Sequence, residues 1–404
     1  MKKSTVAASA VVCLTALGWQ GTVHAAPCKD LPNPVIVAGS TAVGALLGKV
    51  AAKLNAASGD DKITIVLAQN PNGSCRGVET LGADVTPTGA CVAGACASGT
   101  ANAYDSSGKA TVACELDATA PHIDLVLSDV YKESCPGETA KNPNLRDESL
   151  LVLPFGFIVP TASTQNAIDA KEAYYVFGRG GTANVTPWVN NDFILRRNNG
   201  SGTQITIYKN LNIPINAPGG IDKMSTGGVR DGVKDATNAQ AAIGIIGLDQ
   251  SDGYRSVVKS LAYRHFGQQK FYYADSTPNA YDKKNVRDGH YPLWGYEHGI
   301  YLVDGSGNPI NPRAKKLVDI LSGKLPLPGG DMVVENAQAG TIPTCAMEVE
   351  RTADGKDYTA STGESCGCLY EKSVVQGSTS CTSCTSDANC ASGQKCHHNY
   401  CEAR

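Results

Sequence analysis

The first part of the chain alternates two kinds of hydrophobic pattern. Val35-Ile36-Val37 is a short β-branched apolar run, and the apolar positions from Ala42 to Leu54 recur at the spacing of one helix face. A second apolar run covers Lys62–Ala68. Strand, helix and strand in this order are typical of a βαβ unit, so we expect an α/β fold with a parallel sheet.

Similar patterns continue along the chain. They predict strands over Ile123–Asp129, Leu150–Pro160 and Ala242–Gly247, and a closing helix over Asn311–Leu321. We expect Pro154 and Gly156 to interrupt the long apolar strand, which suits a crossing between two lobes. The Gly-rich stretch Thr226–Val233 is predicted as a turn within a second α/β unit.

Two segments have a different composition. Residues 88–114 are rich in Gly, Ala, Ser and Cys, which predicts a stapled surface insertion rather than core. After about residue 340 the chain becomes rich in Thr, Ser, Gly and Cys, which predicts a separate small module.

Charge and length exclude some classes of function. The 404 residues allow two or three domains. The formal net charge of −3 argues against nucleic acid or an anionic membrane as the main partner. Residues 1–25 have the pattern of a secretory signal peptide, with Lys2 and Lys3 before an apolar run too short to span a membrane. We therefore expect a periplasmic or secreted protein that is not embedded in a membrane.

The cysteines agree with export. Of the 15, Cys13 lies in the predicted signal peptide. The other 14 form an early cluster (Cys28, Cys75, Cys91, Cys96, Cys114, Cys135) and a late cluster (Cys345, Cys366, Cys368, Cys381, Cys384, Cys390, Cys396, Cys401). Each cluster is even in number, so we expect two separate disulfide frameworks in an oxidising compartment, with pairings that the sequence does not give.

The last cysteines allow a second interpretation. With His397 and His398 they offer the ligand types of a zinc site, but an oxidising compartment favours disulfides. Cys381 and Cys384 have the spacing of a redox motif, yet no thioredoxin-like βαβ pattern surrounds them. This part resembles short Cys-rich repeats of secreted proteins that serve as adhesion or interaction modules.

The segment Arg196–Thr203 has the chemistry of an anion cradle. Arginine matches two oxygens of an oxyanion, and glycines let the backbone approach it. A helix beginning near Ser201 would add its free N–H groups. The alternative is a polar turn between two strands.

Other loops carry matching residues. Gly39-Ser40-Thr41, Gly73-Ser74 and Ser128-Asp129 also follow strand-like runs, and such loops converge at the carboxyl ends of parallel strands. Asp129 would accept the hydrogen of a protonated oxyanion; alternatively it is a helix cap or turn residue. No nucleophile elbow or zinc-protease motif is present, and Glu297-His298 is predicted to lie at the surface, so we expect a binding protein rather than an enzyme.

In the order of these loops the chain resembles the phosphate-binding proteins of ABC phosphate importers. The matching pieces are Val37–Thr41, Asn72–Val78, Ile123–Asp129, Arg196–Thr203, Gly227-Gly228, Asp231-Gly232, Ala242–Gly244 and Tyr291–Leu293. The resemblance implies a two-lobed periplasmic-binding-protein fold (type II) with a hinge. It places lobe 1 in residues 26–156 and 264–335, lobe 2 in 157–263, and the Cys-rich module in 340–404.

The same resemblance implies a set of ligand-binding residues. They are Thr41, the amide of Ala42, Ser74, Asp129, Arg197, Ser201, Gly202 and Thr203. Phosphate or a similar oxyanion is then the ligand, and an ABC permease is the partner of a monomeric receptor that needs no metal or cofactor.

Three departures from the family pattern concern the ligand. Asn199 stands where the family usually has an acid, Ala42 where it often has Phe, and Cys75 and Arg76 where it has small residues. The alternative function is a secreted scaffold or adhesion protein whose Cys-rich end mediates protein interactions.

Overall fold

The structure is a computed structural model that describes residues 25–83, 100–116 and 123–403. Nearly all of the predicted signal peptide lies outside the described residues, as do Cys13, Cys91 and Cys96. The α-helices are α1 (Gly44–Ala56), α2 (Ser74–Ala83), α3 (Ala170–Arg179), α4 (Gly202–Leu211), α5 (Thr226–Lys234), α6 (Leu248–Asp252), α7 (Lys284–Arg287), α8 (Pro312–Leu321), α9 (Met332–Ala339) and α10 (Gly367–Ser373). Among the described residues, no helix combines the length and the apolar character needed to cross a bilayer.

In the described part of the chain, the strands pair into one large mixed sheet and three small ones. The strands are β1 (Pro34–Gly39), β2 (Thr64–Asn72), β3 (Thr100–Tyr104), β4 (Ala110–Glu115), β5 (Leu125–Ser128), β6 (Leu145–Pro160), β7 (Ala167–Asp169), β8 (Ile194–Arg196), β9 (Ile221–Asp222), β10 (Ile243–Gly247), β11 (Val258–Ser260), β12 (Ala262–Arg264), β13 (Trp294–Leu302), β14 (Ile342–Pro343), β15 (Val349–Glu350), β16 (Thr359–Ala360), β17 (Lys395–His397) and β18 (Tyr400–Glu402). The large sheet has the order β4-β3-β2-β1-β5-β13-β6-β10-β8-β9. Since β1 pairs in parallel with both β2 and β5, the predicted βαβ start is confirmed.

The long strand β6 joins the two halves of this sheet. Residues 145–154 of β6 pair with β13, and residues 155–158 pair with β10. The predicted interruption at Pro154 and Gly156 is wrong, because the strand continues through both residues. Pro154 lies where β6 passes from one partner to the other, next to Phe155, whose N–H donates to the Leu293 carbonyl at 2.8 Å. A proline is tolerated at such a change of partner.

The predicted surface insertion is corrected at its C-terminal end. Residues 100–115 form the hairpin β3–β4, which extends the large sheet beyond β2. Ala101, Ala103 and Cys114 are buried in the hydrophobic core, so this part is core rather than a surface loop. The rest of the predicted insertion, residues 88–99, lies outside the described residues.

Two polar or β-branched stretches are helical. The Gly-rich segment predicted as a turn is the helix α5, whose N-cap Ser225 accepts a hydrogen bond from the Gly228 N–H. The β-branched segment after Ser201 belongs to α4, and nine of its ten residues are buried. Burial of a nearly continuous helix outweighs the strand preference of Ile and Thr side chains.

The C-terminal region is disulfide-rich, as predicted, but its first part is not a separate module. Cys345–Cys366, Cys368–Cys381, Cys384–Cys396 and Cys390–Cys401 pair within the late cluster, and Cys28–Cys114 and Cys75–Cys135 within the early one. In the region after residue 340, Ile342, Cys366 and Tyr370 belong to the main core. Arg351 stacks its guanidinium 3.7 Å from the ring centre of Trp294. Composition alone does not show this docking, because it depends on contacts with distant strands.

Candidate functional site

The N-terminus of α4 provides donors at the centre of the cleft-facing loops. Strand β8 ends at Arg196, and the Asn198 side chain then accepts the Gly200 N–H at 3.0 Å, which shapes the turn. The helix N-cap Ser201 makes no side-chain capping bond and is buried. The first N–H groups of α4 therefore have no capping side chain, which is the arrangement that favours an oxyanion.

Asp129 connects three of the predicted loops. It directly follows β5 and is buried. Its carboxylate accepts the hydroxyl of Ser40 and, at 2.9 Å, the hydroxyl of Thr203, while its N–H donates to the Ser74 Oγ at 3.2 Å. The ends of β1, β2 and β5 thus meet the start of α4, as expected for loops at the carboxyl ends of strands.

Gly202 permits the close approach of α4 to this cluster. A Cβ atom on Gly202 would lie 2.6 Å from the Asp129 Cβ and 2.6 Å from the Ser74 Oγ. The neighbouring Cys75 N–H donates to the Gly200 carbonyl at 3.2 Å. A glycine is required here because any side chain would push the two loops apart.

Arg197 is a buried positive charge in the loop between β8 and α4. Its side chain is 3% exposed, and it donates to the Thr226 hydroxyl at 2.7 Å and to the Met224 carbonyl at 3.3 Å. Its Nε has no hydrogen-bond partner in the described structure, and it makes no ion pair with a described carboxylate. Burial lowers the pKa of Arg197, while the charges of Asp129 and Asp222 oppose this shift.

Asn199, in the same loop as Arg197, carries no negative charge. The Asn199 Oδ1 accepts a hydrogen bond from the Gln204 Nε2 at 3.1 Å and carries no charge to pair with an arginine. A guanidinium has five N–H donors, and the described protein uses only some of them on Arg197. Arg197 can therefore supply charge and hydrogen bonds to an anion.

The structure brings together most, but not all, of the predicted binding residues. Ser74, Asp129, Ser201, Gly202 and Thr203 form one buried cluster beside Arg197. Thr41 is exposed, and the Ala42 N–H donates to the Ser40 Oγ at 3.0 Å rather than pointing freely into the cleft. The Ala42 carbonyl in turn accepts the Gln250 Nε2 at 2.9 Å, which links this turn to α6.

The predicted binding residues do not include Ser40, which bonds to Asp129, Thr226, which bonds to Arg197, or the buried acids Asp249 and Glu297. Ser40 and Thr226 lie in segments predicted as turns, where a hydroxyl side chain is itself a signal for anion binding. Glu297 and His298 were predicted at the surface, which is wrong because both side chains are fully buried on β13. An acid next to a histidine carries no sequence signal for burial, since only the pairing of β13 with β5 and β6 encloses it.

The disulfide Cys75–Cys135 lies next to the cluster. It ties the start of α2, beside Ser74, to the segment that follows Asp129. Arg76 is exposed, with its Cγ 3.6 Å from where a Gly200 Cβ would be. Of the two unusual residues in this loop, Cys75 therefore forms a disulfide, and Arg76 is a second, exposed positive charge.

Comparison with known proteins gives the fold. No family model and no curated protein match the chain. The structure is similar to that of a candidate phosphate ABC transporter substrate-binding protein from Clostridium perfringens with bound phosphate, at 14% identity and a TM-score of 0.51, covering 77% of this chain and 100% of that one. An ABC-type phosphate transport receptor from Vibrio cholerae also matches (15% identity, TM-score 0.42, 71% and 93% covered). A human phosphate binding apolipoprotein matches at 14% identity and a TM-score of 0.45, covering 76% of this chain and 90% of that one. The first likeness confirms the two-lobed α/β periplasmic-binding-protein fold.

Proposed function

We propose that this chain, on its periplasmic-binding-protein fold, captures inorganic phosphate or a similar oxyanion between two lobes. The observation that carries the proposal is Arg197, a buried arginine with no carboxylate partner in the described structure. It lies beside the uncapped start of α4, where hydroxyl and N–H donors converge. Such a charge is costly to bury alone, and a bound anion would compensate it.

Asp129 supports a protonated oxyanion as the ligand. A carboxylate accepts hydrogen bonds and repels an anion that has no hydrogen to give. Phosphate retains a hydrogen at neutral pH, whereas sulfate does not. We therefore infer that phosphate and arsenate bind and that sulfate binds poorly.

Contacts between the two proposed lobes support binding by closure. We assign residues 26–156 and 264–335 to one lobe and 157–263 to the other. On this division, Thr203 with Asp129, Gln250 with Ala42, and Lys209 Nζ with Ser134 Oγ (2.7 Å) are contacts across the cleft. An anion held between Arg197 and Asp129 would stabilise the closed arrangement.

Export and delivery to an ABC permease complete the proposal. The six disulfides of the described residues fit an oxidising compartment. We propose a monomeric receptor that passes its ligand to an ABC permease.

Isothermal titration of residues 26–404 with phosphate tests the proposal. We expect one-to-one binding, weakened about 100-fold or more in Arg197→Ala because charge-assisted hydrogen bonds are lost. The matched control is Arg179→Ala, an exposed arginine stacked on Tyr175, which should bind as the unmodified protein does. Absence of binding to phosphate, arsenate and sulfate, or equal loss in both variants, would contradict the proposal.

A further inference from the structure

Glu297 is a buried acid at the cleft whose role the proposed binding residues do not explain. It lies on β13, where His298 pairs with Ser128 of β5. Because the two strands are antiparallel, the next residue along each strand places Glu297 opposite Asp129. The side chain of Glu297 is fully buried, and on the other edge of β13 its partner is the apolar Leu151 of β6.

The surroundings of Glu297 do not support a charged carboxylate. Neither of its carboxyl oxygens receives a hydrogen bond from a described donor. The cavity that it lines is otherwise apolar, formed by Val43, Leu46, Leu47, Leu127, Leu150, Leu151 and Leu321. An ionised carboxylate without donors in such a site is strongly disfavoured, so Glu297 is expected to hold a proton.

A proton on Glu297 has one evident acceptor. The strand register places the Asp129 carboxyl opposite Glu297, and the charge of Asp249 on α6 is the other one that acts on Glu297. Burial raises the pKa of Glu297 well above its ordinary value, and the Asp129 and Asp249 charges raise it further. Arg197, whose pKa the charge of Asp129 helps to raise against the effect of burial, is the positive group nearby.

We propose that Glu297 shares its proton with Asp129, so that the pair presents one negative charge, rather than two, to an entering anion. The proposal rests on the proposed function, because its consequence is for oxyanion binding. A carboxylate has about four acceptor positions. On Asp129 the hydroxyls of Ser40 and Thr203 and the O–H of Glu297 take three, which leaves one for the hydrogen of a ligand.

The role of Glu297 is that of a positioning and charge-setting residue. Loss of its proton at higher pH would place a second negative charge beside Asp129 and repel the ligand. Binding should therefore weaken as pH rises, beyond what the titration of phosphate itself causes. The Glu297→Gln variant keeps a neutral N–H donor but cannot ionise. Its affinity for the oxyanion should therefore fall less as pH rises.

Infrared spectroscopy of the full chain tests the shared proton without any ligand. We expect a protonated-carboxyl band at neutral pH in Asp249→Asn, which removes the other buried acid with a raised pKa, and we expect this band to be lost when Glu297→Gln is added. Circular dichroism would verify that both variants fold. A band that persists in the double variant Asp249→Asn with Glu297→Gln would overturn the shared proton.

Titration with phosphate across a pH series tests the consequence for binding. We expect the dissociation constant of the unmodified protein to rise more steeply with pH than that of Glu297→Gln. Parallel pH profiles would overturn the role of Glu297 in binding. If the unmodified protein binds no oxyanion at any pH while the Glu297 band is present, the proposed function fails and the shared proton stands.

Discussion

Gly202 allows the start of α4 to contact Ser74 and Asp129. No side chain fits between α4 and the Ser74–Asp129 pair, because a Cβ at this position would overlap atoms of both residues. The close contact therefore depends on a single missing methyl group.

We predict that Gly202→Ala weakens phosphate binding about 10-fold to 100-fold, since relieving such an overlap costs roughly 1–3 kcal/mol. Isothermal titration measures the change. The matched control is Gly44→Ala at the start of α1, where an added Cβ meets no atom within 4 Å. Unchanged affinity in Gly202→Ala would show that α4 does not approach Asp129 in the bound state.

Asp249 gives the protein a predictable response to pH. Burial raises the pKa of Asp249 to about 7, and the charges of Asp252 and Asp129 add to the shift. The folded protein thus holds this proton more tightly than the unfolded chain, in which the pKa is about 4. The contribution of Asp249 to stability is full below pH 4 and is lost as pH rises toward 7.

Asp249→Asn removes this dependence, because an amide does not titrate. We predict that the free energy of unfolding of the variant, relative to the unmodified protein, increases between pH 4 and pH 7. Urea unfolding at several pH values measures it. Asp60→Asn, at an exposed aspartate, is the control. A difference that stays constant with pH would contradict the assignment.

Among the elements, α6 is held by an unusual buried ion network. Lys283 is fully buried, and its Nζ lies 2.7 Å from the Asp252 Oδ2 and 3.0 Å from the Asp275 Oδ1. Arg255 pairs with the same two carboxylates. Burial alone would lower the pKa of Lys283, but the two aspartate charges outweigh it and raise the pKa above its ordinary value. The network fixes the helix that carries Asp249 beside the cleft.

We predict that Lys283→Met lowers the free energy of unfolding by about 3–5 kcal/mol, because two buried carboxylates lose one of their cations. Urea unfolding checks this value. Lys324→Met, at a lysine whose side chain is 55% exposed, should change it by less than about 1 kcal/mol. A loss below about 1 kcal/mol in Lys283→Met would mean that Arg255 alone satisfies both aspartates.

At the level of single elements, the sequence predicted most of the strands and helices that have a regular hydrophobic period. Strands β1, β5 and β10 and helices α1 and α8 follow short hydrophobic periods that do not depend on distant partners. The helix α5 was missed because its three glycines favour a turn, although the Ser225 cap and packing make it a helix. The hairpin β3–β4 was missed because small residues give little periodic signal until β2 pairs with them.

Across the whole molecule, disulfides close loops of very different length. Cys28–Cys114 joins residues 86 apart and fastens β4 to the segment before β1, whereas Cys390–Cys401 joins residues 11 apart near the C-terminus. In the chain-entropy description, the longer loop restricts the unfolded chain more.

We predict that Cys28→Ser with Cys114→Ser lowers the free energy of unfolding by about 4.5 kcal/mol, and Cys390→Ser with Cys401→Ser by about 3 kcal/mol. Guanidinium unfolding under oxidising conditions compares the two double variants. The reverse order of stability would show that strain or residual structure, rather than loop length, governs these bridges.

The α/β class could be predicted from the residues alone, and so could the strand-end loops that carry Ser74, Asp129 and Arg197–Thr203. The grouping of the cysteines into two frameworks could be predicted as well. These features follow from residue spacing, from the chemistry of side chains that suit an anion, and from the order of motifs along the chain.

Which of these groups meet could be seen only once the chain was folded. The tertiary structure placed Ser40 rather than Thr41 on Asp129, left Arg197 without a carboxylate partner, and buried Glu297 opposite Asp129. The physical reason is that hydrogen bonding, burial and proton affinity depend on neighbours far away in sequence. Strand register and helix packing, and not local composition, set those neighbours.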